Sequence, residues 1–159
     1  MTNFFKKSDL SRGEAENIVS DTLNKCDDGE LYLEDTKSES IILDDNKIKD
    51  SSYSSDLGFG FRAISEDTVA YSHSNEISKN SLKQSSESLK STLKTIGGTY
   101  NHSIPKSNKK YYEHINPIEQ KSLNEKIEIL NKVNNYLRSK DTNVKQVTAN
   151  FSGEHKSIE

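Results

Sequence analysis

The strongest constraint on the fold is the alternation of side chains in segment 57–63, which has the sequence Leu-Gly-Phe-Gly-Phe-Arg-Ala. Successive side chains of a β-strand point to opposite faces of a sheet, so the four apolar residues of this segment would share one face. Gly58, Gly60 and Arg62 would lie on the other face. The segment therefore predicts a strand with one buried face, in a sheet that is covered on that side.

Further strand signals lie on both sides of this segment. Short alternating patterns occur at 31–33, at 41–43 after a polar bend, at 68–72 and at 147–151. Residues 44–47, Asp-Asp-Asn-Lys, are typical of a hairpin turn, because Asp and Asn close local backbone turns and tolerate positive φ. Parallel strands need a crossover of a dozen or more residues, so the short spacing favours an antiparallel meander.

Three helices are predicted around the strands. Ser11 and Glu14 have the spacing of a capping box at the start of the first helix, and Gly29 is predicted to end it. Ser78 is a second candidate N-cap, and the third helix is predicted to begin near Pro117. The longest apolar stripe lies on this third helix and comprises Leu123, Ile127, Leu130, Val133 and Leu137. The predicted fold class is α+β, an antiparallel meander sheet with about three helices packed on it.

Length and composition predict one lean domain over residues 1–159. Leu, Ile, Val and Phe account for 35 of the 159 residues, so their core is small and the domain is expected to be weakly stable. Segment 97–117 carries both prolines and little apolar periodicity, which predicts a mobile loop within the domain. The strand predicted at 147–151 has no hairpin return before Glu159, so the chain is interpreted as an incomplete, truncated domain.

Charge and cysteine content argue against several classes of function. The net charge is −3 and the pI about 5.9, whereas a phosphate-binding surface is typically basic with clustered Lys and Arg, so no nucleic-acid partner is expected. Cys26, the single cysteine, cannot form a disulfide within the chain and is expected to be a small buried side chain in a reduced compartment. The apolar pair Phe4-Phe5 is too short for a membrane span, so no membrane partner is expected.

The sequence contains no complete catalytic or metal-binding motif. A zinc-protease helix places two histidines about one turn apart with a glutamate beside them. The four histidines, His73, His102, His114 and His155, are too far apart for this, and Glu113-His114 comes nearest without a second histidine in range. We therefore predict no catalytic residue, no metal ligand and no cofactor in this chain. It is expected to be one part of something larger rather than a self-sufficient enzyme.

The two glycines of the central strand have two interpretations. A dinucleotide-binding loop would need a third glycine and a helix beginning at the loop, so phosphate binding is disfavoured. The main interpretation is packing, in which the glycine face lies against another backbone or a large side chain. The alternative is contact with an extended peptide or a partner chain through Gly58, Gly60 and Arg62, because sheets accept peptides by strand addition.

Four motifs follow one another in a distinctive order. They are Gly-Glu-Leu-Tyr-Leu at 29–33, Glu-Ser-Ile-Ile-Leu-Asp-Asp at 39–45, Gly-Phe-Gly-Phe-Arg-Ala-Ile-Ser at 58–65 and Val-Lys-Gln-Val-Thr-Ala-Asn-Phe-Ser-Gly at 144–153. This series resembles the N-terminal domain of the TldD/PmbA family, historically called modulators of DNA gyrase. The resemblance runs from about residue 8 to residue 156 and is closer to the TldD branch than to the PmbA branch.

The resemblance implies a cytoplasmic bacterial metalloprotease that acts on peptides or unfolded segments. It also implies pairing of TldD-like with PmbA-like chains, so a hetero-oligomer with such a partner is expected. The family's zinc-type metal ion is held by a His-Glu-x-x-x-His helix in a later portion, and no residue of this chain matches it. The resulting hypothesis is an N-terminal fragment of a TldD-like metalloprotease that is inactive alone. The alternative is a stand-alone, non-catalytic module that binds peptides or proteins through a sheet edge.

Overall fold

The described residues form a four-stranded sheet and three α-helices. A computed structural model describes residues 4–6, 8–93, 113 and 115–159. The elements in chain order are α1 (Arg12–Leu23), β1 (Asp28–Asp44), β2 (Lys47–Ser65), β3 (Thr68–Ser74), α2 (Lys79–Thr92), a short 3-10 helix (Pro117–Gln120), α3 (Leu123–Lys140) and β4 (Thr148–Ile158). The strands are antiparallel in the order β3-β2-β1-β4, which confirms the predicted α+β class. None of the described helices is long and apolar enough to cross a membrane.

The hairpin between β1 and β2 is the one that the sequence predicts. β1 ends at Asp44 and β2 begins at Lys47, and the two residues between them, Asp45 and Asn46, have φ angles of 48° and 67°. Two residues with positive φ are characteristic of a type I′ turn, whose twist matches that of the flanking strands. The prediction of a polar bend between 31–33 and 41–43 is wrong, because β1 runs unbroken through both of these apolar segments.

β4 lies along β1 and is hydrogen-bonded to it at both ends. Leu33 and Glu159 exchange backbone hydrogen bonds with N···O distances of 2.9 and 3.1 Å, the pattern of an antiparallel pair. At the other end, the Thr148 hydroxyl donates to the Asp44 carboxylate at 2.9 Å. The strand predicted near the end of the chain is therefore confirmed, and its partner is the first strand.

The chain divides into two compact units. The first unit comprises Met1–Asp35, Asp56–Glu113 and Ser157–Glu159. Helices α1 and α2 cover its strands, and Phe61 and Ala63 have no exposed surface in its core. The second unit comprises Thr36–Ser55 and His114–Lys156.

The prediction that Gly29 ends α1 is wrong. The helix ends at Leu23, and Gly29 lies in β1 without a positive φ angle. A Cβ atom at this position would lie 2.4 Å from the Leu23 side chain and 2.7 Å from the Arg62 carbonyl oxygen. The close approach of these neighbours, rather than a left-handed helix cap, is the reason that this position suits glycine.

The second unit has a small apolar core and an unexpected helix face. Ile41, Leu43 and Leu130 are buried where α3 covers the strands. The apolar stripe predicted for α3 is only partly buried, because the side chains of Leu123, Val133 and Leu137 are 51%, 41% and 42% exposed. Two polar residues, Lys126 and Asn134, are buried in their place. Lys126 donates to Glu39 of β1 and Asn134 donates to Asn46 of the hairpin turn, so the buried face of α3 is set by hydrogen bonds as well as by apolar contact.

Segment 97–117 was predicted to be a mobile loop within a single domain. Residues 97–112 and 114 lie outside the described residues, so that expectation stays a prediction, as does the single domain over 1–159. The described chain resumes fully at Ile115 and forms the 3-10 helix from Pro117. α3 begins only at Leu123, where Ser122 acts as the N-cap in a capping box with Glu125.

Candidate functional site

The candidate contact residues Gly58, Gly60 and Arg62 lie where β2 meets β3. The antiparallel register places Gly60 opposite His73 and Arg62 opposite Tyr71. β3 therefore occupies the hydrogen-bonding edge of β2 at these two positions. A peptide could reach them only across the exposed face of the sheet.

Both glycines of this strand lie close to a neighbour in β3. A Cβ atom on Gly60 would lie 2.7 Å from the Tyr71 hydroxyl oxygen, and one on Gly58 would lie 2.6 Å from the Ser74 carbonyl oxygen. This agrees with the packing interpretation, one glycine facing a large side chain and the other a backbone. Tyr71 is 65% exposed and its ring can move aside, whereas the carbonyl group of Ser74 is part of a strand.

The exposed face around Arg62 carries charges of both signs and two aromatic rings. The Arg62 guanidinium lies 3.0 Å from the Glu30 carboxylate and 3.6 Å from that of Asp28. Exposed ion pairs of this kind contribute only about 0–1 kcal/mol each, so these carboxylates orient Arg62 without engaging it tightly. The rings of Tyr71 and His73 stack with their centroids 6.0 Å apart. Such a face could contact an extended peptide through Arg62 and the tyrosine ring.

The described residues do not fit a zinc site. Zinc sites in proteins use three or four Cys, His, Asp or Glu ligands around one ion, and no such group of three exists within residues 4–6, 8–93, 113 and 115–159. His73 is stacked on a tyrosine in β3, and His155 lies in β4. His102 and His114 lie outside the described residues.

Cys26 has the environment of a structural cysteine. Its side chain is buried, and its thiol donates a hydrogen bond to the Thr22 carbonyl oxygen at 3.6 Å. Burial raises the pKa of the Cys26 thiol, and the nearby Asp27 carboxylate raises it further. Because the reactive form of cysteine is the thiolate, both effects disfavour a nucleophilic role.

A buried ion pair in the second unit was not predicted from the sequence. The Lys126 ammonium lies 2.7 Å from Oε2 of Glu39 and 2.7 Å from the Ile118 carbonyl oxygen, to which it also donates. The side chains of Lys126 and Glu39 are only 4% and 10% exposed. A signal exists in the sequence, since Glu39 has the same parity in β1 as the buried Ile41 and lies on its face. Lys126 likewise precedes the buried Leu130 by one helical turn.

The first part of β2 has an open edge. β3 pairs only with residues 59–65 of β2, and β1 is the other neighbour of β2 in the sheet. Within the described part of the chain, residues 47–55 therefore have a strand on one side alone. All nine of these residues are exposed. We call this segment the free edge. The sequence pattern predicted peptide contact further along the same strand, at Gly58, Gly60 and Arg62.

Comparison with known proteins gives the context for these surfaces. Residues 29–96 match the family model described as PmbA/TldA metallopeptidase domain 1. The chain is 34% identical over 135 residues to the metalloprotease TldD homolog of Buchnera aphidicola subsp. Acyrthosiphon pisum, covering 84% of this chain and 28% of that protein. It is 30% identical over 138 residues to the metalloprotease TldD homolog of Haemophilus influenzae, covering 83% and 28%. The chain thus spans 28% of the length of these relatives.

Solved structures share the fold at lower sequence identity. TldE from Thermococcus kodakarensis superposes with a TM-score of 0.61 at 20% identity, over 91% of this chain and 34% of that one. A protein from Thermotoga maritima described as a modulator of a DNA gyrase gives a TM-score of 0.64 at 12% identity, over 93% and 38% of the two chains. At these identities the likeness establishes a common fold.

Proposed function

We propose that this chain serves as the N-terminal domain of a TldD-like cytoplasmic metalloprotease that acts on peptides or unfolded segments. The premise is that the chain belongs to the TldD/PmbA family through its N-terminal domain. In this proposal a zinc-type metal ion is bound by polypeptide outside the 159 residues. The chain itself supplies a surface that binds the peptide and a surface that attaches to a TldD/PmbA-type partner. One observation carries the proposal: the similarity to TldD homologs extends over 84% of this chain but only 28% of the relative.

Reconstitution tests this proposal. The purified chain would be mixed in equimolar amounts with a TldD-like polypeptide that lacks its own first domain, and cleavage of a fluorogenic unstructured peptide would be followed. We expect cleavage by the mixture that a zinc chelator abolishes, and none by the chain alone. Zinc content after dialysis, measured by mass spectrometry, should follow the added polypeptide.

Two results would overturn the proposal. Stoichiometric zinc in the isolated chain, with cleavage of the peptide, would mean that the metal site lies within these 159 residues. Failure of the two polypeptides to co-elute in gel filtration, together with no gain in cleavage, would mean that the chain does not act as the missing domain. A mixture containing a domain from an unrelated fold provides the control for nonspecific stabilisation.

The second candidate function is a non-catalytic module that binds peptides or proteins. It is favoured by the charged and aromatic surface around Arg62, where Tyr71 is 65% exposed, Gly58 and Arg62 are half-buried and Gly60 is buried. If Arg62 contacts a peptide, Arg62→Ala should weaken binding by about tenfold, the loss of one charge-assisted hydrogen bond. Lys83→Ala removes an equal charge from an exposed position of α2 and serves as the control. Equal affinities of the two variants, measured by fluorescence anisotropy, would exclude Arg62 from the contact.

A further inference from the structure

The free edge of β2 results from a mismatch in strand length. β2 contains 19 residues and β3 only seven, and their pairing ends at Phe59 opposite Ser74. Residues 47–55 extend beyond this pairing and keep β1 as their neighbour on the other side. At about 3.3 Å per residue, the free edge is about 30 Å long. An edge of this length offers several backbone hydrogen-bonding groups in a row, which is the chemistry that an extended polypeptide recognises.

The hairpin turn determines which backbone groups of the free edge are available. In a two-residue type I′ turn, the carbonyl group of Asp44 accepts a hydrogen bond from the N–H group of Lys47. Backbone groups of successive residues in a strand point alternately to its two sides. The groups of Lys47 and Lys49 therefore face β1, and those of Ile48 and Asp50 face the open side. Asp50 is the more informative position, because its side chain is polar and exposed.

The composition of the free edge favours transient binding of extended peptides of varied sequence. Its charges have both signs, Lys47 and Lys49 against Asp50, so the edge favours neither acidic nor basic peptides. A stable dimer typically buries about 800 Å² on each partner, which a single nine-residue edge cannot supply. The segment contains no proline that would block an added strand. These features favour an extended peptide over a second copy of this chain.

We propose that residues 47–55 of β2 bind an extended segment of unfolded polypeptide as an additional antiparallel strand. Recognition is through the backbone groups that face the open side, including those of Ile48 and Asp50, and is independent of the peptide's side-chain charge. The inference deepens the proposed role in peptide binding and moves the contact from the β3-paired part of β2 to its free edge. It requires neither metal nor proteolysis, so its success or failure is separate from that of the reconstitution.

A matched pair of variants tests the backbone contact. Asp50→Pro removes the N–H group that faces the open side, whereas Asp50→Ala removes only the side chain. The probe is a fluorescein-labelled unstructured peptide of about ten alternating Thr and Ser residues, and binding is followed by fluorescence anisotropy. We expect Asp50→Ala to bind within about twofold of wild type and Asp50→Pro to lose about tenfold or more in affinity, with circular dichroism confirming that both are folded.

A second measurement uses the unaltered chain and does not depend on a folded proline variant. Two versions of the probe would carry N-methyl groups on alternate amides, so that only one version keeps the donors that face β2. We expect one version to bind like the parent peptide and the other to bind at least about tenfold more weakly, with affinities that change little between low and high salt. Equal binding of both versions, a strong salt dependence, or dimers of the chain that Asp50→Pro disrupts would each overturn the proposal.

Discussion

Replacing Lys126 by methionine tests the most unusual feature of the second unit. Methionine keeps most of the volume of the lysine stem but removes the ammonium group that bonds to Glu39 and to the Ile118 carbonyl oxygen. Glu39 would then remain as a carboxylate with 10% exposure and no cation, and its Oε1 atom already lacks a hydrogen-bond partner among the described residues. Breaking a buried pair in this way costs about 3–5 kcal/mol, because the remaining charge is left without compensation.

The magnitude is large relative to the stability of a domain of this size. Typical domains unfold with a free energy of about 5–15 kcal/mol, so Lys126→Met, at a cost of about 3–5 kcal/mol, should remove about a fifth of it or more. The midpoint of thermal unfolding should fall by about 10 °C, given about 2–4 °C for each kcal/mol. Urea unfolding followed by circular dichroism at the helix band would measure the change. Lys132→Met, at an exposed position of the same helix, is the control and should lie within about 0.5 kcal/mol of wild type.

The double variant distinguishes a buried ion pair from two independent residues. Replacing both Glu39 and Lys126 by methionine removes both charges together, and apolar replacement of a buried pair is often neutral or stabilising by about 1–4 kcal/mol. We expect the double variant to be more stable than Lys126→Met alone. A loss under about 1 kcal/mol for Lys126→Met, or a double variant whose loss equals the sum of the two single losses, would refute the reasoning.

Three further predictions concern the first unit. A hydrogen bond from Lys79 lowers the pKa of Glu14 to about 2, with backbone and side-chain hydrogen bonds from Ser11 adding to the shift. The ionised Glu14 carboxylate therefore stabilises the fold at pH values above its unfolded-state pKa, and this contribution is lost as the pH falls towards 2. In Glu14→Gln, the free energy of unfolding in urea should therefore fall less steeply between pH 7 and pH 2 than in wild type. Gly58→Ala should destabilise the fold by about 1–3 kcal/mol, because the new methyl group meets the carbonyl oxygen of Ser74 in β3. Gly60→Ala should cost less, because the exposed ring of Tyr71 beside it can move. Equal losses of unfolding free energy in urea for the two variants would contradict this contrast. Phe61→Ala, at a position without exposed surface, should cost about 3–5 kcal/mol, and a thermal midpoint equal to wild type would contradict its burial.

Local chemistry in the sequence determined where most elements lie. The capping residues Ser11, Ser78 and Ser122 each begin a helix in the structure, because a side chain that satisfies free backbone N–H groups acts within a few residues. The turn at Asp45 and Asn46 formed for the same reason, since the tolerance of Asn and Asp for positive φ is a property of the residues themselves. The α+β class and the antiparallel order follow from such local signals and short spacings.

Tertiary structure decided which faces are buried and which edges stay open. Periodicity predicted that the apolar stripe of α3 would be buried, but Lys126 is buried against Glu39 of β1, while Val133 and Leu137 are 41% and 42% exposed. Gly29 serves a close approach of distant residues rather than a helix end, which depends on contacts that spacing cannot predict. The position of the free edge depends on where the short β3 ends against the long β2. Strand pairing is non-local, so the segment at Gly58 was identified from alternation alone, and the open residues 47–55 emerged only when the strands were assembled.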